Sequence, residues 1–79
     1  MVHVKWTNNS LRIISKFEVM VKNRILKTID NFEQGKKVDI QKLAFTDKYR
    51  IRVGGYRIIL KKIEDIYFVL DLGKRENIY

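Results

Sequence analysis

Arginine side chains recur at alternate positions on both sides of a diglycine in the second half of the chain. Residues 49–59 read YRIRVGGYRII, so that Arg50, Arg52 and Arg57 alternate with apolar and aromatic residues. In a β-strand, alternate side chains point to the same face. Guanidinium groups stay charged and bind phosphate oxygens through two parallel hydrogen bonds. The three arginines therefore indicate a surface that binds phosphate groups.

A tight turn between the two strands would bring two of these arginines face to face. The diglycine at positions 54 and 55 predicts a two-residue hairpin turn, in which Arg52 lies opposite Arg57. Opposite side chains in an antiparallel pair have Cβ atoms about 4.5 to 5.5 Å apart, and like charges there are destabilising. A bound anion would relieve this repulsion. The alternative is that long basic side chains only solubilise an exposed sheet face, a use that Lys61 on the same strand would share.

The C-terminal segment GKRENIY adds two side chains suited to phosphate chemistry. Arg75 and Tyr79 follow an apolar segment, and the loops beyond regular elements commonly carry binding and catalytic groups. Positive charge near Tyr79 would lower the pKa of its phenol, so that the phenolate accepts a proton while arginines stabilise negative charge on a phosphate. Alternatively, Tyr79 is a terminal residue that packs on the fold.

The composition excludes several other kinds of site. The 79 residues contain no cysteine and a single histidine, His3, so disulfides and cysteine nucleophiles are ruled out, and we expect neither metal nor cofactor. The net charge of +8 attracts polyanions such as nucleic acid, although lysine-rich surfaces also serve solubility alone. No apolar segment approaches the roughly 20 residues that span a bilayer, and the N-terminus lacks the continuous apolar stretch of a signal peptide. We therefore expect a cytoplasmic protein with no membrane partner.

Apolar periodicity predicts the elements that would position these residues. We expect strands over residues 2–6, 49–53, 56–61 and 66–72, a short helix that begins within residues 7–10 and continues towards Phe17, and a second helix over about residues 18–34. Residues 36–47 lack a clean period, so we expect an irregular connection there. Gly73 is expected to end the last strand, whose apolar run is typical of a strand inside a sheet that helices cover.

This order of elements predicts the fold class. An N-terminal strand, two helices and three consecutive antiparallel strands are typical of an α+β fold. We expect one domain over residues 1–79, in which the N-terminal strand and a helical hairpin pack on a small curved antiparallel sheet.

Two segments of the sequence resemble one known protein family. The hairpin segment over residues 49–59 and the closing segment LGKRENIY over residues 72–79 are similar to those of the RelE/ParE toxin superfamily, and more to its RelE branch. The opening strand with Trp6 and the two helices also lie where that family has them, so the resemblance covers nearly the whole chain. It implies a RelE-like fold and a toxin of a type II toxin–antitoxin system. Such toxins are ribosome-dependent endonucleases that cut messenger RNA in the decoding site.

The resemblance also assigns roles to individual residues. It implies catalytic roles for Arg57, Arg75 and Tyr79, and RNA binding by Arg50, Arg52, Lys48 and Lys74. The implied reaction is attack of a ribose 2′-hydroxyl on the adjacent phosphate, with arginines stabilising charge on the phosphate oxygens. Because arginine stays protonated, Tyr79 is the expected base, and Lys48 and Lys74 would assist if desolvated.

The implied partners are the ribosome, messenger RNA and a cognate antitoxin protein, with operator DNA bound only through the antitoxin complex. Many family members continue past the tyrosine that matches Tyr79. Two alternatives therefore stay open. One is a toxin-fold module that binds an antitoxin without cutting RNA, and the other is a ParE-like toxin directed at gyrase.

Overall fold

The computed structural model describes residues 2–74, which form two helices and five strands. In chain order the elements are β1 (His3–Trp6), α1 (Asn8–Ile14), α2 (Val19–Glu33), β2 (Ile40–Lys42), β3 (Lys48–Val53), β4 (Tyr56–Ile63) and β5 (Ile66–Lys74). The strands form one sheet in the order β1-β5-β4-β3-β2. The predicted α+β class is confirmed. The sheet is mixed, because β1 pairs with β5 in parallel while the other pairs are antiparallel.

Helix α1 is tied to the sheet through its first residues. The hydroxyl of Thr7 accepts a hydrogen bond from the N–H of Ser10 and donates one to the carbonyl of Val69 on β5. Thr7 is therefore both the N-cap of the helix and a link to the neighbouring strand. The helix ends at Ile14, before the predicted Phe17, because the chain tightens into bonds from residues 16 and 17 to carbonyls three residues back.

Helix α2 matches its prediction closely. Its buried side chains are Ile25, Ile29 and Phe32, which recur at helical spacing on one stripe. The helix stops before Gly35, whose N–H donates to the carbonyl of Phe32. Within residues 2–74, neither helix combines the length and the apolar character needed to span a bilayer.

The core lies between the two helices and one face of the sheet. The helical residues Ile14, Ile25, Ile29 and Phe32 pack with sheet residues Ile51, Ile58, Leu60, Val69 and Leu72. Alternation in the strands directs the intervening side chains to the opposite face. We call that opposite side, to which Arg50, Arg52 and Arg57 belong, the open face of the sheet.

Two details of the strand prediction were wrong. Residues 36–47 are not wholly irregular, because Ile40–Lys42 pairs with β3 and supplies main-chain partners along its edge. Gly73 does not end β5, since it pairs with Arg57 within the sheet. Helices cover only one face of β5, and the apolar residues Ile66 and Phe68 lie half-buried on the open face, opposite His3 and Lys5.

Candidate functional site on the open face

The β3–β4 hairpin places Arg52 directly opposite Arg57. Gly54, with φ of +58°, takes the left-handed conformation that a two-residue turn requires at this position. The resulting register pairs Val53 with Tyr56 and Arg52 with Arg57. This pairing confirms the arrangement predicted from the diglycine. Two guanidinium groups therefore share one end of the open face, where their like charges disfavour each other.

The third arginine is held by a neighbour that the sequence did not reveal. Arg50 lies opposite Ile59 on β4 and opposite Gln41 on β2. It is only 9% exposed, and its Nη2 donates to Oε1 of Gln41 over 2.7 Å. A buried guanidinium with a fixed amide partner has lost most of its rotamer freedom. Arg50 is therefore oriented before any ligand arrives.

Two of the arginines bury a donor that makes no hydrogen bond. The Nε atoms of Arg50 and Arg52 are inaccessible to solvent and have no hydrogen-bond partner among the described residues. A buried donor without a partner costs more free energy than an ordinary hydrogen bond contributes, so such groups are rare in folded proteins. Their presence beside like-charged neighbours indicates a surface arranged for an anionic ligand.

Basic side chains also occupy the open face at the end of the hairpin away from its turn. Together with the three arginines they form what we call the basic surface. Lys48 on β3 lies opposite Lys61 on β4, which makes a second pair of like charges on the open face. Nζ of Lys61 lies 3.8 Å from Oδ2 of Asp47, and both side chains are well exposed, so this ion pair contributes little. The open face of the hairpin thus carries basic side chains along its whole length.

Strand β5 places a glycine opposite Arg57. Ile59 pairs with Asp71 whereas Leu60 pairs with Val69, so Leu70 is an extra residue that forms a bulge. After the bulge, Gly73 lies opposite Arg57.

The other predicted site residues are not all on this surface. Lys74 pairs with Tyr56, whose ring packs against the core, so Lys74 lies on the face opposite to Arg57. Arg75 and Tyr79 lie outside the described residues 2–74. The geometry therefore brings together four of the seven predicted residues, namely Lys48, Arg50, Arg52 and Arg57.

Gln41 is a candidate site residue that sequence reasoning missed. Its contact with Arg50 depends on β2, a three-residue strand whose alternation is too short to recognise in the sequence. The assembled side chains can bind phosphate groups and stabilise negative charge developing on them. Within residues 2–74, no group of three His, Cys, Asp or Glu side chains is placed to hold a metal ion.

Comparisons with known proteins show what this fold is similar to. No protein-family model and no curated protein matches the chain. Among solved structures, the archaeal RelE–RelB complex from Pyrococcus horikoshii OT3 matches with a TM-score of 0.76 and 24% identity, covering 98% of each chain. The RelB–RelE antitoxin–toxin complex from Methanococcus jannaschii gives 0.75 and 20%, covering 91% of each chain. The intact E. coli RelBE toxin–antitoxin complex gives 0.72 and 22%, covering 98% of this chain and 100% of that one. The chain therefore has the RelE fold that the sequence resemblance predicted.

Proposed function

We propose that this protein is a toxin that cuts messenger RNA bound to the ribosome. The observation that carries the proposal is the pairing of Arg52 with Arg57 on the open face, next to the buried, unpartnered Nε atoms of Arg50 and Arg52. An anion would offset the repulsion between these like charges and would accept hydrogen bonds from the guanidinium groups. Guanidinium groups match the geometry of phosphate oxygens, which they bind through two parallel hydrogen bonds. The RelE fold of the chain supports a polynucleotide as the source of that phosphate.

The proposed reaction is transfer within the RNA backbone. The ribose 2′-oxygen attacks the adjacent phosphorus, a new P–O bond forms, and the bond to the 5′-oxygen breaks. Arg57 and Arg75 stabilise the negative charge that builds on the phosphate oxygens. Tyr79 accepts the proton of the 2′-hydroxyl, and the leaving 5′-oxygen takes up a proton.

The remaining basic residues hold the RNA strand. Arg52 and Lys48 bind phosphates along β3, and Gln41 keeps Arg50 oriented for the same purpose. Lys74, on the other face, contributes to general attraction of RNA and not to the reacting phosphate. The ribosome supplies the orientation of the messenger, which removes much of the entropic barrier, so free RNA should be a poor substrate.

An antitoxin protein is the second proposed partner. Three of the matching structures are complexes of a RelE with a RelB. A disordered segment with acidic and apolar residues at helical spacing would cover the basic face and the apolar surface beside it. We infer that operator DNA is bound only through this complex, and that the toxin acts in the cytoplasm on ribosomes.

Cleavage on purified ribosomes tests the proposal. Ribosomes programmed with a defined messenger are incubated with the protein, and cut positions are mapped by primer extension. We expect cuts in the decoding site with wild-type protein and with Lys27→Ala, an exposed change on α2 away from the open face. Arg57→Ala is expected to abolish most of the cutting. Messenger that stays intact in the presence of folded wild-type protein would refute the nuclease proposal. If the protein then inhibited supercoiling by gyrase, it would be a gyrase-directed toxin instead.

A further inference from the structure

An aromatic side chain stands fully in solvent at one end of the basic surface. Phe45, in the turn between β2 and β3, has a relative exposure of 106%, the highest among the large hydrophobic side chains that are exposed in residues 2–74. Its φ is +60°, in the left-handed region that residues other than glycine rarely adopt. Glu64 in the β4–β5 turn has a similar φ of +54°, so this backbone conformation belongs to the turn. The full exposure of the phenyl ring, in contrast, has no packing explanation.

The turn that carries Phe45 is internally braced. The N–H of Leu43 donates to the carbonyl of Lys48 over 2.9 Å. The hydroxyl of Thr46 donates to the carbonyl of Leu43 over 2.8 Å and accepts from the N–H of Lys48 over 3.1 Å. These bonds fix the turn on both sides of Phe45. The ring is therefore presented from a fixed backbone, which lowers the entropic cost of binding.

The surroundings of Phe45 indicate a polyanion as its ligand. Strand β3 leads from the turn through Lys48 and Arg50 to Arg52, all on the open face. Lys48 and Arg52 are four residues apart, which is about 13 Å along a strand. Exposed Lys42 precedes the turn but pairs with Tyr49, whose ring packs against the core, so Lys42 lies on the face opposite to the open face. A chain of phosphates following β3 from Arg52 would thus reach Phe45.

We propose that Phe45 stacks on a base of the messenger strand, whose phosphates lie along β3. This inference rests on the proposed function and extends its RNA site beyond the reacting phosphate. Single-stranded RNA could bind both the basic side chains of β3 and the ring of Phe45. Its phosphates bind cations, and its unpaired bases stack on aromatic rings. Stacking on a phenyl ring tolerates every base, so Phe45 adds affinity and sets the position of the strand without reading its sequence.

Binding of two matched probes tests the proposal. One is a fluorescein-labelled, fully 2′-O-methylated RNA octamer, which cannot be cut by 2′-hydroxyl attack. The other is an octamer of abasic sugar phosphates, which keeps the phosphate charge and lacks every base. Phe45→Leu keeps an apolar side chain in the same strained backbone and removes the aromatic ring. We expect Phe45→Leu to raise Kd for the RNA octamer about tenfold, the loss typical of one stacked base, and to leave Kd for the abasic octamer unchanged.

Further variants separate stacking from charge. Phe45→Tyr is expected to bind the RNA octamer as the wild type does, because it keeps a flat ring. Phe45→Leu should leave the salt dependence of binding unchanged, whereas Lys48→Ala should reduce its slope by about one phosphate contact. Met20→Ala removes a comparably exposed apolar side chain from α2 and should change neither Kd.

Several results would overturn the proposal. Equal binding of the RNA octamer by wild type and Phe45→Leu, or an equal loss on the abasic octamer, would show that no base stacks on Phe45. Loss of antitoxin binding with RNA binding intact would assign the ring to a protein partner instead. Ribosomal cleavage by the wild type is measured separately. If the wild type cleaves messenger but Phe45→Leu binds RNA as the wild type does, only the stacking inference is refuted. If Phe45→Leu weakens RNA binding as expected but the wild type does not cleave, only the nuclease proposal is refuted.

Discussion

We expect the stability of the hairpin and its proposed affinity for phosphate to depend on the same two guanidinium groups. Arg52 and Arg57 lie directly opposite each other on β3 and β4, so their like charges disfavour each other. We expect a bound phosphate to reverse the sign of this effect, because it would place negative charge between the two side chains. A substitution at this pair should therefore change stability and binding in opposite directions.

Arg52→Gln tests this opposition. We expect the free energy of unfolding to rise by up to about 1 kcal/mol at low ionic strength, because one member of a like-charged pair is lost. The gain should shrink towards zero near 1 M salt, where the screening length is about 3 Å. Urea unfolding at both salt concentrations measures it, with Lys27→Gln on the exposed side of α2 as the matched loss of charge. A stability loss at low salt would contradict the repulsion.

Arg57 should matter most for cleavage. Replacing it with Ala removes a donor aimed at charge that develops during the reaction, and such losses lower rates by about 100-fold or more. Arg57→Lys keeps the charge but loses the planar fork, so an intermediate rate is expected. Cleavage of ribosome-bound messenger in excess toxin measures both rates, and thermal unfolding confirms that both variants fold. Equal activity of Arg57→Ala and wild type would remove Arg57 from the reaction.

At the scale of single residues, the sequence predicted what local geometry dictates. The opposition of Arg52 and Arg57 followed from the length of the diglycine turn and the alternation of a strand. The contact of Arg50 with Gln41 did not follow, because it depends on the docking of β2 against β3. The strain at Phe45 was also invisible, since a positive φ at phenylalanine contradicts its local preference.

Among the elements, the β3–β4 turn has two glycines with different requirements. Gly54 has a φ of +58°, so Gly54→Ala should lower the free energy of unfolding by about 1 to 2 kcal/mol. A Cβ there would lie 3.8 to 3.9 Å from the guanidinium of Arg24, an ordinary contact, so the loss comes from the backbone. Gly55→Ala meets nothing within 4 Å and should change stability little. Chemical denaturation compares the two variants, and equal losses would show that the turn is assigned wrongly.

Helix α1 depends on Thr7 for its start and for its link to β5. Thr7→Ala removes the N-cap bond to Ser10 and the 2.7 Å bond to the carbonyl of Val69. We expect a loss of about 1 to 2 kcal/mol in the free energy of unfolding. Thr7→Ser keeps the hydroxyl and should retain most of that stability. A Thr7→Ala variant as stable as the wild type would mean that α1 is held by packing alone.

Helices and strands were predicted correctly where a periodic pattern of apolar residues extends over many positions. Helix α2 and the hairpin strands carry periodic apolar residues over many positions, which is why their bounds were nearly correct. Strand β2 has only three residues, and its pairing with β3 is a long-range event that no local pattern encodes. The apolar run of β5 predicted a strand inside a sheet that helices cover. Its outward members, Ile66 and Phe68, instead lie on the open face beside basic neighbours.

Across the whole molecule, the sheet separates the hydrophobic core on one face from the basic side chains on the other. One face carries the core that holds α1 and α2, and the open face carries the basic row from Lys48 to Arg52 together with Arg57. The net charge of +8 draws polyanions to the protein in general. The open face gives that attraction a definite place. The chain shares the RelE fold at 20–24% identity, and we propose RNA as the ligand of the open face.

The central claim is that this face cuts messenger RNA on the ribosome. The most direct measurement is the single-turnover rate of cleavage when excess protein is added to ribosomes holding a defined messenger. We predict a cut in the decoding site, slowed about 100-fold or more by Arg57→Ala and unaffected by Lys27→Ala. An uncut messenger, or a cut that Arg57→Ala leaves unchanged, would contradict the account.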